Sequence, residues 1–207
     1  MKIARLAQAA AIAALFAAGS ASAVEMISNG DFEAYSNSVP GAGYTMVANG
    51  STAITGWTVG GVSVDQIQGA YNAISGISID LLGTPGPGVI SQSFNFAANT
   101  TYNLSFQLTH NPYAGGGAMM YADFFGTQYQ YDGMQPLQTV TLSYTTGNAG
   151  GNTTLSFGSI GGDGYSGAVI DNVSVTAAVP EPETYAMLGL GLGLLAFIGR
   201  RKNKAAK

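Results

Sequence analysis

The sequence predicts an all-β domain, folded as a β-sandwich of jelly-roll type. Three observations predict it. Apolar and polar residues alternate with a period of two, turn residues recur at intervals of about ten, and no long helical pattern appears between residues 24 and 179. The alternating runs amount to about nine to eleven short strands, a number that suits a jelly roll.

The strands follow in order. Ile77, Ile79 and Leu81 alternate with Ser78 and Asp80. Ile90, Phe94 and Phe96 share a face opposite Ser91, Ser93 and Asn95. Tyr102, Leu104, Phe106 and Leu108 alternate with Asn103, Ser105, Gln107 and Thr109. Val140, Leu142 and Tyr144 follow, then Leu155 and Phe157, then Val173 and Val175. One apolar face and one polar face predict antiparallel sheets packed on one side. Turn signals separate the runs at Asn49-Gly50, Gly60-Gly61, Pro85 to Gly88, Ala98-Asn99, Gly115 to Gly117, Asp132-Gly133 and Gly147-Asn148. Gly161-Gly162-Asp163-Gly164 reads as a hairpin turn.

Both ends of the chain are addresses. Residues 1–23 predict a signal peptide: Lys2 and Arg5 give a positive start, Ile3 to Ala18 an apolar run, and Ala21-Ser22-Ala23 a small-residue cleavage site. The domain proper spans 24–176. A linker over 177–183 carries Pro180-Glu181-Pro182, and the apolar run 184–199 predicts a transmembrane helix. That run is slightly short of the ~20 residues that span a bilayer comfortably. The basic tail 200–207 stays cytoplasmic by the positive-inside rule.

Charge narrows the functions. No Lys or Arg occurs between Leu6 and Gly199. Residues 24–179 hold nine of the 11 acids, so this stretch has a formal charge of −9 against −4 for the whole chain. A domain without cations cannot clamp phosphates, which argues against nucleic acid and nucleotides as partners. A buried carboxylate here must be met by N–H groups, hydroxyls or a metal ion. Cysteine is absent, which excludes disulfides and thiol-metal sites.

The residues offer little catalytic chemistry. His110 is the one histidine and ends a predicted strand, followed by Asn111-Pro112-Tyr113. No serine sits in a nucleophile elbow, and no carboxylate pair has a recognisable acid–base setting. Gly115 to Gly117 lacks the lysine and helix of a phosphate loop. The aromatics suggest more. Trp57, Tyr71, Tyr113, Tyr121, Tyr129 and Tyr131 accompany many amides and hydroxyls. Flat rings stack on the apolar faces of sugars. Tyr113, Tyr129 and Tyr131 are candidate ligand-binding residues, the last two on one face of a strand. The same rings also suit core or rim packing, and Trp57 suits the core.

Two resemblances add to this reading. The Pro-Glu-Pro motif, apolar helix and terminal Arg200-Arg201-Lys202 resemble the PEP-CTERM signal of Gram-negative bacteria. That resemblance implies processing by exosortase, a transient membrane anchor through the C-terminal helix, and delivery to the cell surface or exopolysaccharide. The opening Asn29-Gly30-Asp31-Phe32-Glu33, the Gly56-Trp57-Thr58 and the closing Ile170-Asp171-Asn172-Val173-Ser174-Val175 resemble galactose-binding-like jelly-roll domains, carbohydrate-binding modules among them. Ser78 to Leu81 leading into Ile90 to Phe94 is similar to a subgroup of bacterial anchored proteins. The domain resemblance implies a structural calcium held by Asp31, Glu33 and Asp171. Without it, those acids cap turns or face water. The whole implies an exported, non-catalytic domain that binds extracellular polysaccharide. A purely structural matrix protein and a glycoside-active enzyme are the alternatives.

Overall fold

Eleven strands among the described residues form two antiparallel sheets. They are β1 (Tyr44–Ala48), β2 (Thr58–Gly61), β3 (Ser63–Ile67), β4 (Ser78–Asp80), β5 (Gly88–Phe96), β6 (Thr101–His110), β7 (Met119–Phe124), β8 (Thr127–Asp132), β9 (Gln138–Thr145), β10 (Gly151–Gly161) and β11 (Ala168–Ala177). The computed structural model describes residues 23–39, 43–161 and 165–178, with Gly189, Gly191 and Gly193. The predicted signal peptide lies outside these residues except for Ala23. So do the sorting motif, the basic tail and, apart from the three glycines, the predicted transmembrane helix. Val24–Ala178 is a unit of its own and encloses every residue of the hydrophobic core, so it is a folding unit in itself.

One sheet has the order β1-β3-β4-β11-β6-β9 and the other β2-β5-β10-β7-β8. Only β3–β4 and β7–β8 are neighbours in both chain and sheet, so nearly every connection crosses between the layers. This is the jelly-roll sandwich. β10 and β11 lie in different sheets, so they are not paired as the hairpin that the Gly161 to Gly164 run predicts. Residues 162–164 themselves lie outside the described residues.

Period-two alternation builds the core. Phe106 lies opposite Val140, Leu104 opposite Leu142 and Val175, and Leu108 opposite Ile170. From the facing sheet Phe157 lies opposite Ile90 and Ala122. Trp57, Phe32, Phe106 and Phe157 are fully buried, and each such side chain contributes roughly 1.5–3 kcal/mol. Trp57 packs on Phe32 and Phe157, with ring centroids at 5.5 and 6.3 Å, and donates Nε1–H to the Asn29 carbonyl at 3.0 Å.

A second aromatic group surrounds Phe125. Its ring stacks on Tyr144 at 4.3 Å and meets Phe94, Phe96 and Tyr102 edge-on or tilted. Phe125 and Gly126 both have positive φ, 54° and 74°, and form the β7–β8 turn. Two left-handed residues match a two-residue hairpin, although phenylalanine is a poor turn residue. Its ring contacts offset the ~1–2 kcal/mol cost of that conformation.

The opening and closing motifs form one device. In β11 the register with β6 shifts between Asp171 and Ser174, where Asn172 has φ 50°. Before the shift, β4 pairs with β11 through Ile79 and Asp80. Beyond it the N-terminal segment takes over. Val173 donates to the Gly30 carbonyl at 2.8 Å, and Met26 donates to the Val175 carbonyl at 2.8 Å. A Cβ on Gly30 would lie 1.8 Å from the Val173 oxygen, so glycine is required there.

The alternation misleads at one end of this sheet. Ser78 and Asp80 fall on the predicted solvated face, yet they are buried, as are Asp65, opposite Asp80, and Ser63 on the same strand as Asp65. Segments 68–77, 82–84, 111–113 and 165–167 fold over that face. Their N–H and hydroxyl groups bond to its polar side chains.

Candidate ligand-binding site

The covering segments leave a cavity of about 120 Å³ lined by Tyr44, Asp65, Ile67, Tyr71, Thr84, Asn111, Tyr165 and Ser166. Tyr44 opens the edge strand β1. Tyr71 ends a 3-10 turn, Gly69–Tyr71, closed by Asn72 at φ 63°. The Asn72 side chain donates to the His110 carbonyl at 2.9 Å, which fixes the turn beside the end of β6. The rings of Tyr44 and Tyr71 meet at 5.4 Å, nearly perpendicular. Tyr113 extends the array, with its ring 5.6 Å from Tyr71. Tyr113 and Tyr165 are 64% and 59% exposed, unlike rings that serve a core.

Carboxylates hold the walls from beneath. Asp80 is fully buried. It accepts from Asn111 Nδ2 at 2.8 Å, from the Gly167 N–H at 3.0 Å and from the Leu82 N–H at 3.0 Å. Asn111 Oδ1 in turn accepts the Tyr113 N–H at 3.1 Å. Asp80 thus ties the 111–113 loop and the 165–167 loop to β4. Asp65 lies opposite it in register and accepts the Thr84 N–H and hydroxyl at 3.0–3.2 Å. Burial pushes the Asp80 carboxyl up to about 7; its hydrogen bonds oppose this, and the charge of Asp65 adds to it. Burial likewise raises Asp65, against the bonds from Thr84.

The acids assigned to calcium lie at another corner of the same sheet. Asp171 accepts from Ser78 Oγ at 2.8 Å, Ser75 N–H at 3.1 Å and Asn172 N–H at 2.6 Å. Glu33 Oε1 accepts the Ile77 N–H at 2.7 Å. Both carboxylates therefore meet on the 75–78 segment. A Cβ on Gly76 would lie 1.8 Å from Glu33 Oε1. Burial pushes Asp171 up to about 6; its hydrogen bonds oppose this, and the Glu33 charge adds to it. The Asp31 side chain is exposed, and no group of three or more His or acidic side chains among the described residues is placed to hold a metal. The corner fits a cation in part. It supplies two converging carboxylates and no lysine or arginine, and the remaining oxygens of a calcium shell fall to backbone carbonyls or hydroxyls.

The other candidate rings serve packing. Tyr129 and Tyr131 share one face of β8, and that face rests on the core, with Tyr131 edge-on to Phe106 at 5.7 Å. Tyr113 alone of the three joins the cavity's ring array. Tyr44, Tyr165, Asp65 and Thr84 carried no sequence signal of their own, because strand order and loop crossings bring them together. A second groove of about 310 Å³ crosses β6, β9 and β11, lined by Asn103, Ser105, Thr141, Ser143 and Thr176 with Leu104 and Leu142. It is larger but has neither ring nor charge.

An all-β sandwich with ringed loops at one end is the class of protein that the fold and site define. Over residues 25–176 the chain belongs to the family described as "Protein of unknown function (DUF642)". Residues 178–202 match the PEP-CTERM protein-sorting motif, which marks an exported, surface-sorted protein. Halomucin of Haloquadratum walsbyi (strain DSM 16790 / HBSQ001) is 30% identical over 174 residues. The match covers 81% of this chain but only 2% of halomucin. Among solved structures the chain is similar to a family 16 carbohydrate-binding module (17% identity, 54% of this chain and 84% of that one, TM-score 0.41). It is also similar to TmCBM61 in complex with β-1,4-galactotriose (12% identity, 73% and 97%, TM-score 0.44). Among the described residues no helix is long and apolar enough to cross a membrane.

The buried acids give a pH dependence. Asp80 and Asp171 bind a proton more tightly folded than unfolded, where the ordinary value is 3.8. Their contribution is fully present below that value. It is lost as pH rises through about 6 and about 7, because folding then buries a charge. The thermal midpoint of the Val24–Ala178 unit should fall from pH 5 to pH 8, by at most about 1.4 kcal/mol of stability per pH unit for each group. Asp80→Asn should flatten that slope. A midpoint that climbs over the same range contradicts the assignment.

Proposed function

We propose that this protein is a non-catalytic domain that holds extracellular polysaccharide at the cell surface, with the Tyr71 cavity as its binding site. The observation that carries the reading is the convergence of Tyr44, Tyr71 and Tyr165 with Asp65, Thr84 and Asn111 around one opening. Rings supply flat apolar faces for a sugar, and carboxylate, hydroxyl and amide groups meet its hydroxyls. Asp80 carries no catalytic role here; its oxygens hold the walls.

Retention on a panel of immobilised neutral and amino polysaccharides tests the reading. Tyr71→Ala and Tyr113→Ala should each weaken retention about tenfold, while Thr141→Ala in the larger groove leaves it unchanged. Loss through Thr141→Ala alone moves the site to that groove. No retention of any glycan by the wild-type unit favours a purely structural matrix protein.

The sorting tail supports an exosortase substrate whose C-terminal helix anchors it in the membrane before processing. Glu181→Ala with Pro182→Ala should leave unprocessed precursor in the membrane fraction. Normal processing of that variant makes the tail an anchor only.

Calcium at the Glu33–Asp171 corner belongs to the same reading, supported by two like charges meeting without a lysine or arginine. Asp171→Asn should lower the thermal midpoint in calcium by several degrees, an effect of about 1–3 kcal/mol, and by much less in chelator. Equal shifts in both conditions remove the ion.

A further inference from the structure

The cavity has the composition of a cation cage. Three tyrosines line it, Tyr44, Tyr71 and Tyr165, and the rings of Tyr44 and Tyr71 meet at 5.4 Å and 74° to one another. Its lining includes the Asp65 carboxylate, 3% exposed and hydrogen-bonded by the Thr84 N–H and hydroxyl. A second carboxylate, Asp80, lies opposite it on the neighbouring strand. No lysine or arginine exists anywhere in the domain to balance either charge. The volume, about 120 Å³, is below the ~300 Å³ of an ordinary small-molecule pocket. It admits one substituent of a sugar rather than a chain.

We propose that the Tyr44–Tyr71–Tyr165 cavity selects a sugar bearing a free ammonium group, a cationic amino sugar, over its N-acetylated or uncharged counterpart. This rests on the reading of the cavity as a sugar site. Aromatic faces attract an ammonium group through their quadrupoles, and more strongly where water is excluded. The carboxylate beneath supplies the opposite charge, and the ammonium donates to its free lone pairs. An N-acetyl group is neutral and bulkier, and leaves Asp65 uncompensated. A uronic acid meets a domain of formal charge −9 and is repelled. The class of ligand is therefore a partly or fully deacetylated amino-sugar polymer.

Calorimetry of the Val24–Ala178 unit tests this, with glucosamine oligomers and their fully N-acetylated counterparts in both β-1,4 and β-1,6 linkage, near neutral pH and low salt. The amino form should bind about tenfold more tightly. Added salt should erode its advantage and leave the acetylated form unaffected. Asp65→Asn should abolish the preference. Because that residue is buried, Tyr44→Leu provides a second variant at an exposed edge position. It keeps apolar bulk and removes the ring, and should weaken the amino oligomers about tenfold while leaving the acetylated ones within about twofold. Equal binding, or tighter binding of the acetylated oligomers, overturns the inference and leaves the sugar reading standing. If neither oligomer binds but neutral polysaccharide is retained, the inference again falls alone. If nothing binds in either assay, both readings fall.

Discussion

The fold depends on how β11 is paired. One edge of this strand has a single partner, β6, and the other is shared. β4 pairs with its first part, and the N-terminal segment pairs beyond the shift at Asn172. A left-handed residue in the middle of a strand breaks the ladder and makes room for a different partner. Gly30 fits against Val173 only because it has no side chain. Glu25 then caps the same stretch, its carboxylate accepting the Val175 N–H and the Ser174 hydroxyl. The opening segment of the Val24–Ala178 unit and its last strand are thus joined by backbone bonds that neither could satisfy alone.

That closure determines what happens on the outer face. Where β4 gives way to the N-terminal segment, the backbone N–H groups of Ser75 and Ile77 lie outside the strands. Glu33 and Asp171 accept them. Further along, Asp80 and Asp65 do the same for Leu82, Thr84 and Gly167. In a domain with neither lysine nor arginine, buried carboxylates act as caps for loops rather than as partners in ion pairs. The cost is desolvation, visible in the raised pKa values of Asp80 and Asp171. The result is a set of loops held rigidly enough to present tyrosines.

Much of this was legible in the sequence. Alternation found the strands around Ile90, Phe106 and Val173, and the Gly-Trp setting placed Trp57 in the core. The rest failed for identifiable reasons. Alternation reads Asp80 as solvated because period two reports a strand's two faces and not what folds over them. Phe125 hides a turn because its left-handed backbone is stabilised by rings distant in sequence. Gly161 to Gly164 looks like a hairpin because glycine marks a reversal without saying which sheet the chain enters next. Tyr129 and Tyr131 share a face, as their spacing predicts, but β8 turns that face to the core. The cavity joins Tyr44, Asp65, Thr84, Asn111 and Tyr165, five residues from five separate segments, and no local pattern contains it.

The most direct measurement is amide chemical-shift mapping of the Val24–Ala178 unit, titrated with a glycan that it retains. The largest changes should fall on Tyr71 and on Asn111, Tyr113, Ser166 and Gly167, the last four in the two loops that Asp80 ties together. Residues of β8 around Gln130, and the polar groove at Thr141 and Ser143, should stay still. Changes centred on β8 or on that groove, with the Tyr71 cavity silent, would contradict it.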